Sequence, residues 1–580
     1  MNSSPIRLIA LDLDGTLLDD RKQISRRSLR ALRAAADQGV LLVPATGRTG
    51  AGIPAELLAL PGVRYAITAN GARVMDLAEN RALSEDYIPR DLALQVYDLL
   101  TQYECLVDLF QDGQGYTTEA NAAQADRYVP ENLRAYVLNS RVRLPDLRAF
   151  IAQQDRGLEK LTLFFLSEDQ RQKAWAKVAA LGLEVVSSLP LNMEISAAGV
   201  TKGSGLRALA GALDLPAEAL MACGDGGNDI PMITAAGLGV AMGNAFPEVK
   251  AAADFITRTN NEDGVAYAIH KFVLGDDPDA DPRCDIRMVA LDLDGTLLNH
   301  DSQITPRTME AIADAIRRGI VVLPATGRGL SSLPVAIHPM PGLRYALTSN
   351  GAAVWDLGEK PVDAIFSRYG DPGDHPTAEP KRLLYTPLPA DTARTVFRIL
   401  SGFEGELSIF AGGQTLKSEE GMRRTMERMN DFRSTEAKQK NDGRFVILPE
   451  LAPWMEDHAA DVEKFCMFFD TVDQAQEALK ALEPVEGIEL TQGSPENVEV
   501  TAAGVNKGSA LLALGRALGI QREQILAIGD SENDRAMLRE AGVAAVMANA
   551  MPSIRSLADL VSRQDCDHDG VAELFERLSV

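Results

Sequence analysis

No run of 18 or more apolar residues occurs in the 580-residue sequence, so no membrane-crossing helix is expected. Met1 to Arg7 lack a basic segment leading into an unbroken apolar stretch, and the apolar run that follows is interrupted at Asp12. A secretory leader is therefore not expected, and the cytoplasm is the expected location. Cysteine is scarce. Cys105, Cys223, Cys284, Cys466 and Cys566 are scattered, with no CxxC pair and no zinc-ligand spacing, which predicts free thiols in a reducing compartment. Histidine is almost as scarce, with six in the chain and none beside a motif of the first half. His300, in the second half, reads as a solvated loop residue. Positive charge is in the minority: 58 Lys and Arg face 82 Asp and Glu, for a net charge of −24. Such a surface repels nucleic-acid backbones, so nucleic acid is not expected as a partner, and a phosphate site would need local cations.

What is present is an ordinary globular composition, 46% hydrophobic and 24% charged. It supports sizeable cores and, at this length, several compact domains. The dominant feature is an internal repeat. LIALDLDGTLL at 8–18 returns as MVALDLDGTLL at 288–298, VPATGR at 43–48 as LPATGR at 323–328, and RYAITANGA at 64–72 as RYALTSNGA at 344–352. Each pair is displaced by 280 residues, as Asp292 is from Asp12. AAGVTKGS at 197–204 returns as AAGVNKGS at 502–509, and CGDGGND at 223–229 as IGDSEND at 528–534, now displaced by 305, as Lys507 is from Lys202. The second copy is thus longer in its middle, mostly near GDPGDHPTAEP at 370–380, which reads as a loop.

Matching ends around an unequal middle predict an inserted domain in each copy, hosted by a core assembled from the flanks. The expected first core is 1–82 plus 189–273 with insert 83–188; the expected second core is 286–365 plus 491–580 with insert 366–490. The acidic, proline-containing stretch 274–285 reads as the linker. IRLIALDLD at 6–14 has the short apolar run and polar turn of a buried strand. A helix follows, begun by Ser25 and ended by Gly39; in the second copy Thr305 caps, Pro306 takes the first helical position and Gly319 terminates. The segments before ATGR and before Gly-Asp are again strands, while KLTLFFL at 160–166 and KFCMFF at 464–469 read as inner strands of the inserts. Strands alternating with helices predict the α/β class with parallel sheets, whose ligands bind beyond the carboxyl ends of the strands.

In the first copy Asp12 and Asp14 flank Leu13 at one strand end, and Asp225 and Asp229 follow another. Four carboxylates in one crevice repel unless a cation is present, and an all-oxygen set suits Mg²⁺. Lys202 adds a positive charge and Thr46 a hydroxyl donor. The combination is a site for a phosphoryl group: one aspartate can attack phosphorus and the second can protonate the leaving oxygen and then activate water. Mg²⁺ and Lys202 would neutralise the phosphoryl oxygens.

DLDGTLL, ATGR, the downstream lysine and GDxxND together resemble the haloacid dehalogenase superfamily. TANGA (68–72), KGSGL (202–206), GVAMGNA (239–245) and NNEDGVA (260–266) resemble its Cof-type branch. The resemblance spans nearly the whole chain, as two consecutive members. It implies two Rossmann-like parallel-sheet cores, each with an inserted α+β cap, and a Mg²⁺-dependent phosphatase for small phosphorylated substrates such as sugar phosphates or phosphorylated cofactors. It implies Asp12 and Asp292 as nucleophiles and Asp14 and Asp294 as acid/bases. Thr46, Gly47, Lys202 and Asn228, with Thr326, Gly327, Lys507 and Asn533, are implied phosphate contacts. The implied metal sites are Asp12, Asp14, Asp225 and Asp229, and Asp292, Asp294, Asp530 and Asp534; Asp14 and Asp294 contribute backbone carbonyls, and Asp229 and Asp534 support the shell. A sugar phosphomutase or phosphotransferase stays open, as does one copy kept as a non-catalytic binding module, although neither half lacks a core residue. The oligomeric state is also left open. Copy two departs where MGNA (242–245) becomes MANA (547–550) and NNEDG (260–264) becomes CDHDG (566–570), which leaves open whether both sites share a substrate.

Overall fold

The computed structural model describes residues 6–281, 284–340, 342–358, 380–432 and 445–580. The chain divides into two compact units, Met1–Ala280 and Asp281–Val580. In the first unit five parallel strands form one sheet, in the order Phe255–Ile256, Leu238–Ala241, Leu220–Gly224, Leu8–Leu11, Leu41–Pro44. Every residue of Leu8–Leu11 is buried, as an unbroken apolar strand requires when helices cover both faces. On one face lies helix Arg26–Asp37. The Ser25 side chain accepts the Ser28 N–H at its start, and Ser28, Ala31, Leu32 and Ala35 form its buried stripe, the one-faced spacing of an amphipathic helix. Its apolar residues pack on Ile9 and Leu11. On the other face Leu206 and Leu209 of helix Lys202–Ala212 pack on Leu8 and Ala10. Leu11 stands in register with Cys223, so the loops carrying Asp12 and Asp225 leave the sheet side by side.

A three-stranded antiparallel sheet, Tyr65–Thr68, Arg73–Asp76 and Arg81–Glu85, follows. The insert is a six-stranded sheet in the order Glu184–Val186, Asn192–Ser196, Lys160–Phe165, Cys105–Gln111, Gln114–Thr118, Arg141–Leu144. Helices Arg90–Leu100 and Glu168–Ala179 bury Val96, Leu100 and Val178 against it. KLTLFFL is an inner strand, as expected.

The second unit repeats this plan. Its parallel sheet runs Val321–Pro324, Met288–Leu291, Ile525–Gly529, Val543–Val546, Leu560–Val561. Helix Pro306–Arg317 is capped by the Thr305 side chain, with Pro306 in the first turn. Its insert sheet runs Phe445–Leu448, Gln414–Ser418, Glu406–Ala411, Val462–Phe468, Asn497–Ala502, Ile488–Thr491. The α/β class with parallel-sheet cores and inserted α+β caps holds in both units.

The insert limits need correction. Arg81–Glu85, which the boundary at 82/83 would cut, pairs with Arg73–Asp76. Asn192–Ser196 pairs with Lys160–Phe165 inside the insert sheet, past the expected end at 188. Asn497–Ala502 does the same past 490. The repeat displacement marks where the copies realign in sequence, whereas membership of a sheet is set by hydrogen-bonded pairing. The start expected at 366 and the loop expected at 370–380, apart from Pro380, lie outside the described residues. Residues 275–281 of the expected linker contain no helix or strand. All five cysteines are free thiols. Among the described residues no helix is long and apolar enough to cross a membrane.

Candidate active sites

In the first unit the Lys202 ammonium is buried and donates to Asp12 Oδ1 at 2.5 Å and to Asp229 Oδ1 at 2.6 Å. Asp229 Oδ2 accepts the backbone N–H groups of Asp225 and Gly226 at 3.0 and 2.9 Å. Its carboxylate therefore ties the GDGGND turn to the lysine. The Thr16 hydroxyl donates to Asp225 Oδ1 at 2.8 Å. Gly15 makes this approach possible: its φ is +84°, and a Cβ there would stand 2.4 Å from Asp225 Oδ2. Only glycine fits such a position. Asp12, Asp225 and Asp229 each offer an oxygen within 4.8 Å of the others.

The electrostatics follow from this crowding. Burial raises the Asp12 carboxyl well above its ordinary value, and Asp229 adds repulsion against the pull of Lys202. Burial, then Asp229, pushes Asp225 up to about 7. Burial alone would lower Lys202, but Asp12 and Asp229 outweigh it and keep the ammonium protonated. Asp14 is different. Burial acts to raise it, yet the Arg48 guanidinium holds both of its oxygens at 2.7 Å and Lys22 donates at 2.7 Å; together they hold it at about 2.

The insert closes over this floor. Lys160, buried, donates to the Gly47 carbonyl at 2.6 Å and to Glu194 Oε1 at 3.1 Å. Glu194 Oε2 accepts from Asn70 Nδ2 at 2.5 Å, and Asn70 Oδ1 from Asn228 Nδ2 at 3.2 Å. Phe110 lies under the Lys160 ammonium, 4.5 Å away, and the Tyr136 ring covers Arg48 at 4.3 Å. A cavity of about 300 Å³ results, lined by Asp12, Asp14, Thr46, Gly47, Asp225, Asn228 and Asp229 from the core. Every expected site residue of the first copy thus lies at one place, with Lys202 beneath the aspartates.

The second unit repeats the floor. Lys507 donates to Asp292 Oδ1 at 2.5 Å and Asp534 Oδ1 at 2.7 Å, with Asn533 Oδ1 at 3.3 Å. Thr296 donates to Asp530 Oδ1 at 2.9 Å, and burial followed by Asp534 pushes Asp530 up to about 7. Arg328 binds both oxygens of Asp294 at 3.0 and 2.7 Å. Lys464 and Asn350 Nδ2 both donate to Glu499, at 2.6 and 2.7 Å. Thr326 and Gly327 line the same cavity, which is larger, about 530 Å³.

The walls differ where the floors agree. Arg141 in the first insert pairs with Gly115, and Phe445 in the second with Thr415, at the same place in the sheet. The Arg141 guanidinium lies between Phe110 and Tyr136, 4.6 and 5.2 Å from their rings, and donates to Asp108 at 3.3 Å. The second cavity is instead charged by a buried Lys417–Glu406 pair, with Lys417 also donating to Thr425 at 2.7 Å.

Sequence reasoning missed Arg48 and Arg328, Thr16 and Thr296, Asn70 and Asn350, and the insert pairs Lys160–Glu194 and Lys464–Glu499. Each recurs in both copies, so identity across the duplication was the available signal. Lys22 has no such signal, because Ser302 takes its place.

The chain matches the haloacid dehalogenase-like hydrolase family over residues 9–269, 289–366 and 377–575. It is similar to the 5-amino-6-(5-phospho-D-ribitylamino)uracil phosphatase YcsE of Bacillus subtilis, with 34% identity covering 46% of this chain and 96% of the relative. It is similar to the phosphatase YwpJ of the same organism, 31% identical over 45% of this chain and 98% of the relative. It is also similar to the pyridoxal phosphate phosphatase YbhA of Escherichia coli, 32% identical over 46% of this chain and 99% of the relative. Each relative, nearly whole, thus corresponds to about one unit. With its matches running through both units, this chain belongs to the haloacid dehalogenase-like hydrolase family, in its Cof-type branch, and carries the family's fold twice.

Proposed function

We propose that the protein is a Mg²⁺-dependent phosphatase of small phosphate monoesters, with a complete active site in each unit. One observation carries this reading: twice, a buried lysine bridges the first aspartate of DxD and the last of GDxxND, beside a third carboxylate held near neutrality. Such a floor suits a phosphoryl group and a hard cation and serves no packing need. The relatives, by their names, act on small phosphorylated compounds.

The fit to Mg²⁺ rests on the donor set. Asp12, Asp225 and Asp229 present oxygens only, and burial, then repulsion by Asp229, pushes Asp225 upward, a cost that a bound cation would offset. Asp12, Asp225 and the Asp14 carbonyl would hold the ion, with Asp229 shaping the turn; Asp292, Asp530, Asp294 and Asp534 are their equivalents. Bound there, Mg²⁺ would supply charge neutralisation of the phosphoryl oxygens.

The chain's own residues then divide the work. Lys202 occupies Asp12 Oδ1, which leaves Oδ2 to attack phosphorus. An aspartyl-phosphate forms as the ester P–O bond breaks, and the departing oxygen takes a proton from Asp14. Arg48 and Lys22 hold Asp14 ionised before substrate arrives; a phosphoryl dianion competes for both cations, and as their grip loosens the Asp14 pKa rises and it takes up from water the proton that it then gives to the departing oxygen. In the second half Asp14 takes a proton from water, whose oxygen attacks phosphorus and frees Asp12 and inorganic phosphate. Thr46, the Gly47 backbone, Lys202 and Asn228 bind the phosphoryl oxygens, as do Thr326, Gly327, Lys507 and Asn533.

The test is hydrolysis of a panel of phosphate monoesters by the full-length chain. Asp12→Asn and Asp292→Asn should each remove one component of activity, by about 10³-fold or more. The double variant should be inactive, and chelation should abolish wild-type turnover until Mg²⁺ is restored. Full activity in the double variant, or indifference to thorough chelation, would refute the proposal.

A further inference from the structure

Outside the catalytic floors and the insert walls, the two units also differ in chemistry where the loop after DxDGT meets the turn that opens the last helix. In the first unit it is an amide–carboxylate clasp. Asn260 Nδ2 donates to the Leu18 carbonyl at 3.0 Å and to Asp20 Oδ1 at 3.2 Å. Asn261 Nδ2 donates to Asp20 Oδ2 at 2.9 Å, and its Oδ1 accepts the Asp20 N–H at 3.2 Å. In the second unit the three seats are held by His300, Cys566 and Asp567. The backbone bond survives, with the His300 N–H donating to Asp567 Oδ1 at 2.9 Å. All three side chains have changed together, each to a donor type that binds transition metals.

Their geometry separates two uses of such a trio. In a nucleophile relay the thiol and the carboxylate would address opposite nitrogens of the imidazole. Here both converge on one: Asp567 Oδ2 is hydrogen-bonded to His300 Nδ1, and Cys566 Sγ lies 4.0 Å from the same atom. One ligand atom from each residue lies within 4.8 Å of the others. Donors gathered about a single point suit chelation. A clasp alone gains nothing from the cysteine, because a thiol is a weak hydrogen-bond donor and the unit-one version closes with amides.

We propose that His300, Cys566 and Asp567 form a binding site for a borderline divalent cation, Zn²⁺ by donor chemistry, present only in the second unit and separate from its all-oxygen floor. Sulfur, imidazole nitrogen and one carboxylate oxygen are a zinc donor set, with bonds of about 2.0–2.3 Å and a fourth position left to water. The His300 side chain is 78% exposed, so the ion has a path in, while Cys566 anchors it from the buried side. The site is coupled to the catalytic loop: the Cys566 N–H donates to Asn549 Oδ1 at 3.2 Å, and Asn549 Nδ2 donates to the Gly295 carbonyl at 2.8 Å. Gly295 directly follows Asp294. A bound ion would brace the loop that carries Asp292 and Asp294.

The experiment uses full-length protein stripped of metal and titrated with Co²⁺, whose bond to a thiolate gives a charge-transfer absorption that an all-oxygen site does not. One equivalent per chain is expected to produce this band together with the visible bands of tetrahedral cobalt. Zn²⁺ should bleach both, and excess Mg²⁺ should leave them unchanged. Cys566→Ser and His300→Ala should each abolish the thiolate band, whereas Asp225→Asn/Asp530→Asn should retain it. His300 is exposed, so its variant keeps the fold and the test remains decisive if Cys566→Ser is unstable. Absence of the band in wild type, its persistence in either His300→Ala or Cys566→Ser, or its displacement by Mg²⁺ would overturn the proposal and leave a hydrogen-bonded clasp. None of these outcomes depends on phosphatase activity.

Discussion

Single carboxylates define the two floors, and the fold holds them together against their repulsion. Burial, then repulsion from Asp229 and Asp534, pushes Asp225 and Asp530 up to about 7. An acid whose pKa is raised on folding binds its proton more tightly in the native state. Its contribution to stability is therefore full below the ordinary carboxylate range and is lost as pH rises through about 7. A divalent cation binds the ionised form and opposes that loss. Metal-free protein should accordingly melt at a lower temperature at about pH 8 than at about pH 5, and Mg²⁺ should raise the melting temperature more at the higher pH. Calorimetry at both pH values, with and without Mg²⁺, reads this directly. Asp225→Asn/Asp530→Asn should weaken both dependences, leaving the share carried by the likewise raised Asp12 and Asp292; an unchanged profile would place the titration on other groups.

Among the elements, the contact between insert and core is built alike in both units. Strand Lys160–Phe165 brings Lys160, and strand Asn192–Ser196 brings Glu194, onto the turn at Asn70 and the carbonyl of Gly47. The pair is buried, and removing one member of a buried pair leaves the other uncompensated, at about 3–5 kcal/mol. Lys160→Met should therefore destabilise the first unit by that order. Lys160→Met/Glu194→Gln should recover much of it, because no bare charge remains. Both variants should still turn over slowly at the first site, since the Gly47 carbonyl has lost its donor. Denaturant unfolding alongside hydrolysis by chains carrying Asp292→Asn separates the two effects. Equal destabilisation by the single and double variants would mean that contact, not charge, holds the insert closed.

Over the whole molecule, duplication has kept one floor and let two sets of cavity walls diverge. The first cavity is the smaller, with the Arg141 guanidinium set between Phe110 and Tyr136. The second is larger and carries Ser408, Thr415, Lys417 and Glu406 on its walls. Discrimination between phosphate esters needs contacts beyond the shared phosphoryl group, and these walls would supply them. Expressed separately, residues 1–280 and 281–580 should prefer different esters, the first favouring flat, anionic compounds and the second more hydroxylated ones. Exchanging 86–197 for 386–502 should carry the preference with the insert. Folded chimeras that kept the preference of their core would show that the floor, not the insert, selects.

The sequence alone determined the duplication, the α/β class and the catalytic floor. Those residues lie in short contiguous motifs at strand ends, where an apolar run followed by Asp, Gly or Thr specifies strand and turn locally, and a second copy confirms the spacing. Arg48, at the end of ATGR, was visible there but had no assigned partner until the fold set it against Asp14, 34 residues away. The insert limits, the Lys160–Glu194 clasp, the charge on each cavity wall and the surroundings of His300 were decided by tertiary structure. Each depends on strands or loops brought together across long stretches of chain, as Lys202 is brought to Asp12 over 190 residues. Burial there turns an ordinary lysine, glutamate or histidine into a group with a definite partner, and burial is a property of the assembled fold rather than of any segment of the sequence.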